Sequence, residues 1–280
     1  MPGCPHIVLK AGNAVYRVVW SIPLLLPIRL LFRKRTLVRD LLKDKTSFIS
    51  CMIAGLLMVV SWSAFIYALT NHKVLDASLG YFINPLFVIC LGCVFLKEKL
   101  SLFQIIAVFS GVCGLAYQIF SANSFPLLAL VMGFSFALYG LARKFIRYDP
   151  ITSITLETFW ALPVALFIFI YTGASATTSH DIPLFLYILT APVTVIPLVL
   201  FAVALNHTSL IVTGLAQYIE PSLQFIIAIL IFKEVINYPE LFCFSAVWFG
   251  LLLYIFESLY YHYHRKNPVP ESNQISRSVR

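Results

Sequence analysis

Two dipeptides inside apolar runs are the first candidates for chemistry. Asn84-Pro85 and Glu220-Pro221 each place a polar or ionisable side chain directly before a proline. A proline within a helix removes a backbone donor, which frees the carbonyls of Tyr81 and Gln217 one turn back and marks Pro85 and Pro221 as expected helix breaks. Tyr81 shares a helix face with Asn84, and Gln217 shares another with Glu220 and Gln224. Counted from the ends of their apolar runs, Asn84 lies roughly 13 Å deep and Glu220 roughly 16 Å deep. Two such faces at the bilayer midplane would suit a cation or an amide. The plain alternative is that the prolines only kink the helices while the side chains bond neighbouring helices.

Glu157 lies roughly 7.5 Å from the end of its own run, where it could accept a proton or a substrate amine. Its plain alternative is an acid favoured by the helix dipole. Trp62 and Trp160 are interior aromatics that can line a cavity for organic molecules or simply pack. A charge in mid-bilayer costs about 3 kcal/mol or more, so each such residue calls for a reason. These side chains form the candidate substrate-binding set: Trp62, Tyr81, Asn84, Glu157, Trp160, Gln217 and Glu220.

Other chemistries find no support. His72 and His207 lack ligand spacing, and Cys90-x-x-Cys93 has no second pair, so neither a metal nor a cofactor is implied. The chain has no G-x-x-x-x-G-K-[ST] loop for ATP. It has no H-E-x-x-H helix or paired carboxylates at one depth, so it reads as a non-enzyme. Neither a repeated filter sequence nor a ring of charge suggests a channel.

The elements that must position these residues follow from composition. Of 280 residues, 60% are hydrophobic and 11% charged, with mean hydropathy +0.89. A soluble chain carries about 25% charged residues, so the solvent here is lipid. Nine apolar stretches stand out, at approximately 14–32, 48–68, 75–96, 101–120, 125–142, 152–171, 184–204, 209–232 and 238–257. Each approaches the ~20 residues that one crossing needs. Alternation puts fifteen Lys and Arg on one side and three on the other, leaving Arg17 and Arg29 within the first stretch. That bias predicts a cytoplasmic C-terminus in a multi-pass protein of the cell (inner or plasma) membrane. It also explains the +8 net charge by topology and anionic lipid, without nucleic acid.

The chain also resembles itself. Tyr81-Phe82-Ile83-Asn84-Pro85 is echoed by Gln217-Tyr218-Ile219-Glu220-Pro221, and Lys97-Glu98 by Lys233-Glu234, both at an offset of 136 residues. Trp20-Ser21-Ile22-Pro23 pairs with Trp160-Ala161-Leu162-Pro163 at 140. A duplicated unit of five spans follows, with repeats at 14–120 and 125–257 and a disordered cytoplasmic tail at 258–280. Span 125–142 lacks a counterpart, so the first repeat is one span short: either that span was lost, or the reading frame begins upstream. An odd-numbered unit inverts its copy across the membrane, an arrangement transporters use. The expected fold is an all-α integral membrane protein, a polytopic helical bundle of two inverted repeats with four plus five spans.

Several of these stretches resemble one known family. Ala77-Ser78-Leu79-Gly80-Tyr81-Phe82-Ile83-Asn84-Pro85-Leu86 looks like the fourth-span signature of RarD-type permeases. Arg17-Val18-Val19-Trp20-Ser21 is similar to their second span, and Leu156-Glu157-Thr158-Phe159-Trp160-Ala161-Leu162-Pro163 to their seventh. Gln217-Tyr218-Ile219, with Pro221 beyond it, is similar to the ninth. The resemblance implies the drug/metabolite transporter superfamily, EamA-type five-helix repeats and a ten-helix parent fold with both termini inside. It also carries an association with chloramphenicol sensitivity or resistance. Tyr81, Asn84, Glu157, Trp160, Gln217 and Tyr218 carry over position by position; Glu220 stands where relatives usually have a small residue.

The function expected is therefore a secondary-active permease of small organic solutes, drugs or metabolites. It would work by alternating access without ATP hydrolysis, with protons as a candidate coupling ion. The alternatives are a nutrient uptake carrier, or a non-transporting membrane protein if the missing span is real. Substrate, direction and oligomeric state are not legible in the chain.

Overall fold

The computed structural model describes residues 21–25, 27, 43–71, 73–121, 125–171, 184–231, 233 and 237–266. Among them the regular structure is entirely helical. The elements are α1 (Lys45–Thr70), α2 (Val74–Phe95), α3 (Leu102–Ser121), α4 (Leu127–Arg143), α5 (Pro150–Tyr171), α6 (Leu184–His207), α7 (Leu210–Gln217), α8 (Ile219–Leu230) and α9 (Tyr238–Lys266). Six segments are long and apolar enough to cross a membrane, the stretch Leu210–Ile227 counting as one, and α4 and part of α6 are shorter apolar helices. Large apolar side chains such as Phe109, Val193, Leu230 and Phe249 are exposed. A helix surface facing lipid tails is built this way.

The apolar runs from residue 48 onward all coincide with helices, with three differences. The run 209–232 is divided at Tyr218 into α7 and α8. Pro221, which lacks an N–H, stands just beyond that division. α2, by contrast, runs on through Pro85 without interruption. Third, α9 continues to Lys266, so the expected tail at 258–280 begins inside a helix. Residues 258–266 contain neither Gly nor Pro. Lys266 is the last described residue of the helix. Most of the first expected span, with Arg17 and Trp20, lies outside the described residues, as do Glu234 and everything from 267 onward.

The helices form two compact units, one of α1, α2 and α4–α8 and one of α3 and α9. This division does not follow the expected repeat boundary: each half of the chain contributes its last helix to the second unit. Helix starts nevertheless keep the 136-residue offset, Val74 with Leu210 and Leu102 with Tyr238. The two non-glycine residues with positive φ among those described, Lys97 at 54° and Lys233 at 53°, are separated by the same interval. A left-handed residue with a Cβ costs about 1–2 kcal/mol. Lys97→Gly should therefore leave the melting temperature in detergent unchanged or slightly raised. The β-branched Lys97→Val should lower stability by about 1–2 kcal/mol.

In the first unit, α4 packs against both α1 and α2, α5 against α1, and α7 against α2. Val88, Leu91, Ala137, Leu141, Leu205 and Leu210 make one core cluster; Cys51, Ala54, Met58, Tyr139 and Ile146 make another. Asp44 caps α1, accepting from the Ser47 N–H at 3.2 Å and the Ser47 hydroxyl at 2.7 Å. These bonds hold the Asp44 carboxyl below its usual range. The Ser47 oxygen also accepts the Arg147 N–H at 2.9 Å, and Tyr148 donates to the Asp44 carbonyl at 3.0 Å, so the start of α1 is tied to the turn after α4.

The second unit relies on small residues: α3 buries Ala107, Gly111 and Gly114. A Cβ on Gly114 would sit 3.1 Å from Cys243 Cα, and one on Gly250 would sit 2.8 Å from the Ala107 carbonyl oxygen. Such backbone approach suits packing in lipid, where dispersion and buried hydrogen bonds dominate. Ser110 donates to the Ala246 carbonyl at 3.0 Å, and Ser101 to the buried Glu257 carboxylate at 2.8 Å. The cysteines described are free; Cys51 and Cys243 are buried, whereas Cys90 and Cys113 are exposed.

Candidate functional site

Among the described residues of the first unit, a buried cluster of charge lies where α4 hands over to α5. Tyr139 and Arg143 are four residues apart on α4, and Ser153 and Glu157 four apart on α5, so each pair shares a helix face. The short turn between the helices sets the two faces opposite each other. Arg143 Nη1 meets Glu157 Oε1 at 2.5 Å and donates to the Tyr139 hydroxyl at 3.1 Å, while Nη2 donates to Ser153 at 3.0 Å. Tyr139 donates to Glu157 Oε2 at 3.3 Å, and Ser153 donates to the Pro150 carbonyl at 3.0 Å. The Arg143 side chain is only 4% exposed and that of Glu157 only 8%. Two opposite charges this deep require each other, because either one alone would lose its hydration without recompense.

Glu157 also looks the other way. It lines a small, half-open pocket whose cavity volume is about 40 Å³. α1 contributes Gly55, Met58 and Trp62; α5 contributes Ile154, Glu157, Thr158 and Ala161; α6 contributes Thr194, Val195 and Leu198. Ser21 completes the lining. The wall is thus mostly apolar, with one aromatic face, a few hydroxyls and a single carboxylate whose counter-charge sits behind it. Gly55 makes this arrangement possible, since a Cβ there would come within 2.5 Å of the Glu157 carbonyl oxygen.

The expected site residues fall into separate places. Trp62 and Glu157 meet at the pocket. Trp160 does not line it; its ring packs edge-on against Phe48 and Phe159, at 5.8 and 6.1 Å, and its buried Nε1 has no hydrogen-bond partner among the described residues. Asn84 meets Gln217 across α2 and α7, donating from Nδ2 to Oε1 at 3.2 Å, while its Oδ1 is buried and unbonded among the described residues. Tyr81 packs edge-on against Phe65 at 5.7 Å. Glu220, on the first turn of α8, is exposed, as is Gln224.

Arg143, Tyr139 and Ser153 do not figure among the sequence candidates. Arg143 ends an apolar run, and there its charge reads as a topology signal along with those of Lys144 and Arg147. The signal available was the pair of four-residue spacings on either side of the turn, which only matters once both helices are known to pack on α1.

Known proteins with related sequences show the family. Residues 13–119 match the EamA-like transporter family. Protein RarD of Salmonella typhi is 37% identical over 250 residues, covering 88% of this chain and 85% of that protein. An uncharacterized transporter of Bacillus subtilis, YojE, is 33% identical over 87% of this chain and 84% of its own length. A solved crystal structure at 13% identity superposes with a TM-score of 0.62 over 91% of this chain and 88% of that one, a likeness of fold alone. A multi-pass helical membrane protein with these relatives moves small solutes. It belongs to the EamA-like transporter family, among the RarD-type permeases.

Proposed function

We propose that the chain is a secondary transporter that takes a small organic solute into the pocket between α1, α5 and α6 and passes it across the membrane by alternating access. The observation that carries this reading is Glu157, which faces the pocket while its charge is balanced from behind by Arg143. A carboxylate so placed can accept an amine or a proton from the pocket side, and either event leaves the buried Arg143 charge without its full counter-charge, a cost that favours a change of conformation. Trp62 offers the solute a ring face, and Thr158 and Thr194 line the same wall.

The hydrogen-bonded Asn84 and Gln217 form a second polar locus, where the helices that carry the two Pro-containing motifs meet. We read it as a contact between the repeats. The equal offsets of the helix starts and of Lys97 and Lys233 support the duplication on which inversion rests. In this reading the cytoplasmic side carries the Lys-rich loops and the C-terminus, and a proton gradient is the candidate energy source.

The test is uptake by proteoliposomes bathed in a cell metabolite extract and read by mass spectrometry. Vesicles with the native chain should gain at least one solute that protein-free vesicles lack, and Glu157→Gln should abolish that gain. A proton ionophore should collapse it. A lumen matching protein-free vesicles, whether the extract is supplied outside or inside, would overturn the reading.

A further inference from the structure

A second, partly exposed arrangement of charge lies away from the pocket, at the end of the groove between α2 and α7. Lys97 takes a left-handed conformation and turns the chain back, so that the Glu98 N–H reaches the Gly92 carbonyl at 3.1 Å. The Glu98 carboxylate then sits on the start of α7, its Oε1 accepting the Leu210 N–H and its Oε2 the Ile211 N–H, each at 2.8 Å. Ser209, the helix's own cap, serves only the next amide, Val212, at 3.2 Å. The opening amides of α7 are therefore held by a side chain that belongs to the end of another helix. On the same turn, Lys144 donates to the Leu205 carbonyl at 2.5 Å and to the Thr208 carbonyl.

Three features make this contact a fastener for something able to move. α7 has only eight residues, about 12 Å of helix, and meets α8 at Tyr218, whose backbone stays helical at φ −65° and ψ −13°. Pro221 has no N–H to give the Gln217 carbonyl, so the junction lacks one helical hydrogen bond. Along its length α7 rests on α2 through small residues. A Cβ on Gly214 would sit 3.0 Å from the Pro85 carbonyl oxygen, and one on Gly92 would sit 3.2 Å from Leu210 Cβ. Finally, the carboxylate and the amides it holds lie at the end of their helices, beyond the last apolar residues of α2. Water can replace each partner there when they part, so the bond is reversible.

We propose that Glu98 is a latch: α7 is a short lever hinged at Tyr218, and release of its first turn from Glu98 opens the α2–α7 groove from that end during the transport cycle. The proposal rests on the alternating-access reading but is tested without any solute. Single cysteines are placed at Ser209, beside the latch, and at Val88, 1% exposed and facing Gly214 inside the groove. Each is labelled with a membrane-impermeant maleimide in sealed vesicles, above the level of the parent chain without the added cysteine.

Glu98→Ala should speed labelling at both positions from the same face, by on the order of tenfold at Val88→Cys, since two charge-assisted bonds are lost. Glu98→Gln, which keeps one carbonyl acceptor and the native size, should give a smaller rise; it also serves if the alanine variant folds poorly. Faster labelling confined to Ser209→Cys would mean that only the first turn of α7 frays, and would overturn the latch. Unchanged labelling at both positions would overturn it as well. Because labelling reports opening and not uptake, a failed transport assay alongside a positive labelling result would count against the transporter reading and leave the latch standing.

Discussion

Glu157→Ala should destabilise the folded chain by about 3–5 kcal/mol, the cost of leaving a buried guanidinium without its counter-charge. Arg143 would keep the Tyr139 and Ser153 hydroxyls, which can share its protons but cannot neutralise it. Arg143→Ala should cost a similar amount, because Glu157 would then hold its charge against Tyr139 alone. The decisive measurement is the double-mutant cycle. Arg143→Met with Glu157→Gln removes both charges and leaves the Tyr139 hydroxyl an acceptor. It should recover at least half of the loss, since a buried pair is worth far less as a pair than either member costs when stranded. Chemical or thermal denaturation in detergent would read this directly. Additive losses would show that the two side chains act independently and that the geometry at 2.5 Å carries no coupling.

The second large effect belongs to Gly55. A Cβ at this position meets backbone atoms of α5, with the Glu157 carbonyl oxygen at 2.5 Å and its Cα at 3.2 Å. Backbone cannot rotate out of the way as a side chain can. Gly55→Ala must therefore part α1 from α5 and should cost about 1–3 kcal/mol, and Gly55→Leu more. The displaced residue is Glu157 itself, so uptake should fall beyond what the stability loss explains. Gly140→Ala is the matched control, because its Cβ would meet nothing closer than Leu210 Cδ1 at 3.8 Å. That variant should be neutral, or stabilised by up to about 1 kcal/mol through helix propensity. Equal behaviour of the two alanine variants would remove the argument that α1 and α5 touch through Gly55.

The contrast between these two regions shows what could be read along the chain. Helix positions were legible because lipid imposes a single requirement: a run of apolar residues long enough to satisfy its own backbone while crossing. That rule located the helices to within a few residues, apart from the end of α9 and the division between α7 and α8. The Pro motifs predict a break in both helices, but a helix bends or divides according to what its neighbours supply to the freed carbonyls. The same Pro motif leaves α2 whole and sits just past the division between α7 and α8. The extension of α9 to Lys266 was missed for a related reason: a polar sequence without Gly or Pro continues a helix as readily as it leaves one.

Of the candidate site, Glu157 and Trp62 could be named because an acid or an indole inside an apolar run is conspicuous by type. Arg143 was conspicuous too, yet the same residue type at a run's end also signals membrane sidedness, and nothing local separates the two roles. Only the packing of both α4 and α5 on α1 decided that its guanidinium is enclosed with Glu157 while that of Arg147 is not. Glu98 follows the same logic. By itself it is an interfacial charge, and it becomes a cap because α7 begins where the end of α2 delivers it. Residue type and hydropathy along one chain determine which segments enter lipid and which side chains are costly there. Which of those costly groups neutralise one another depends on distances between helices far apart in sequence, and those distances are set by where glycines let backbones meet.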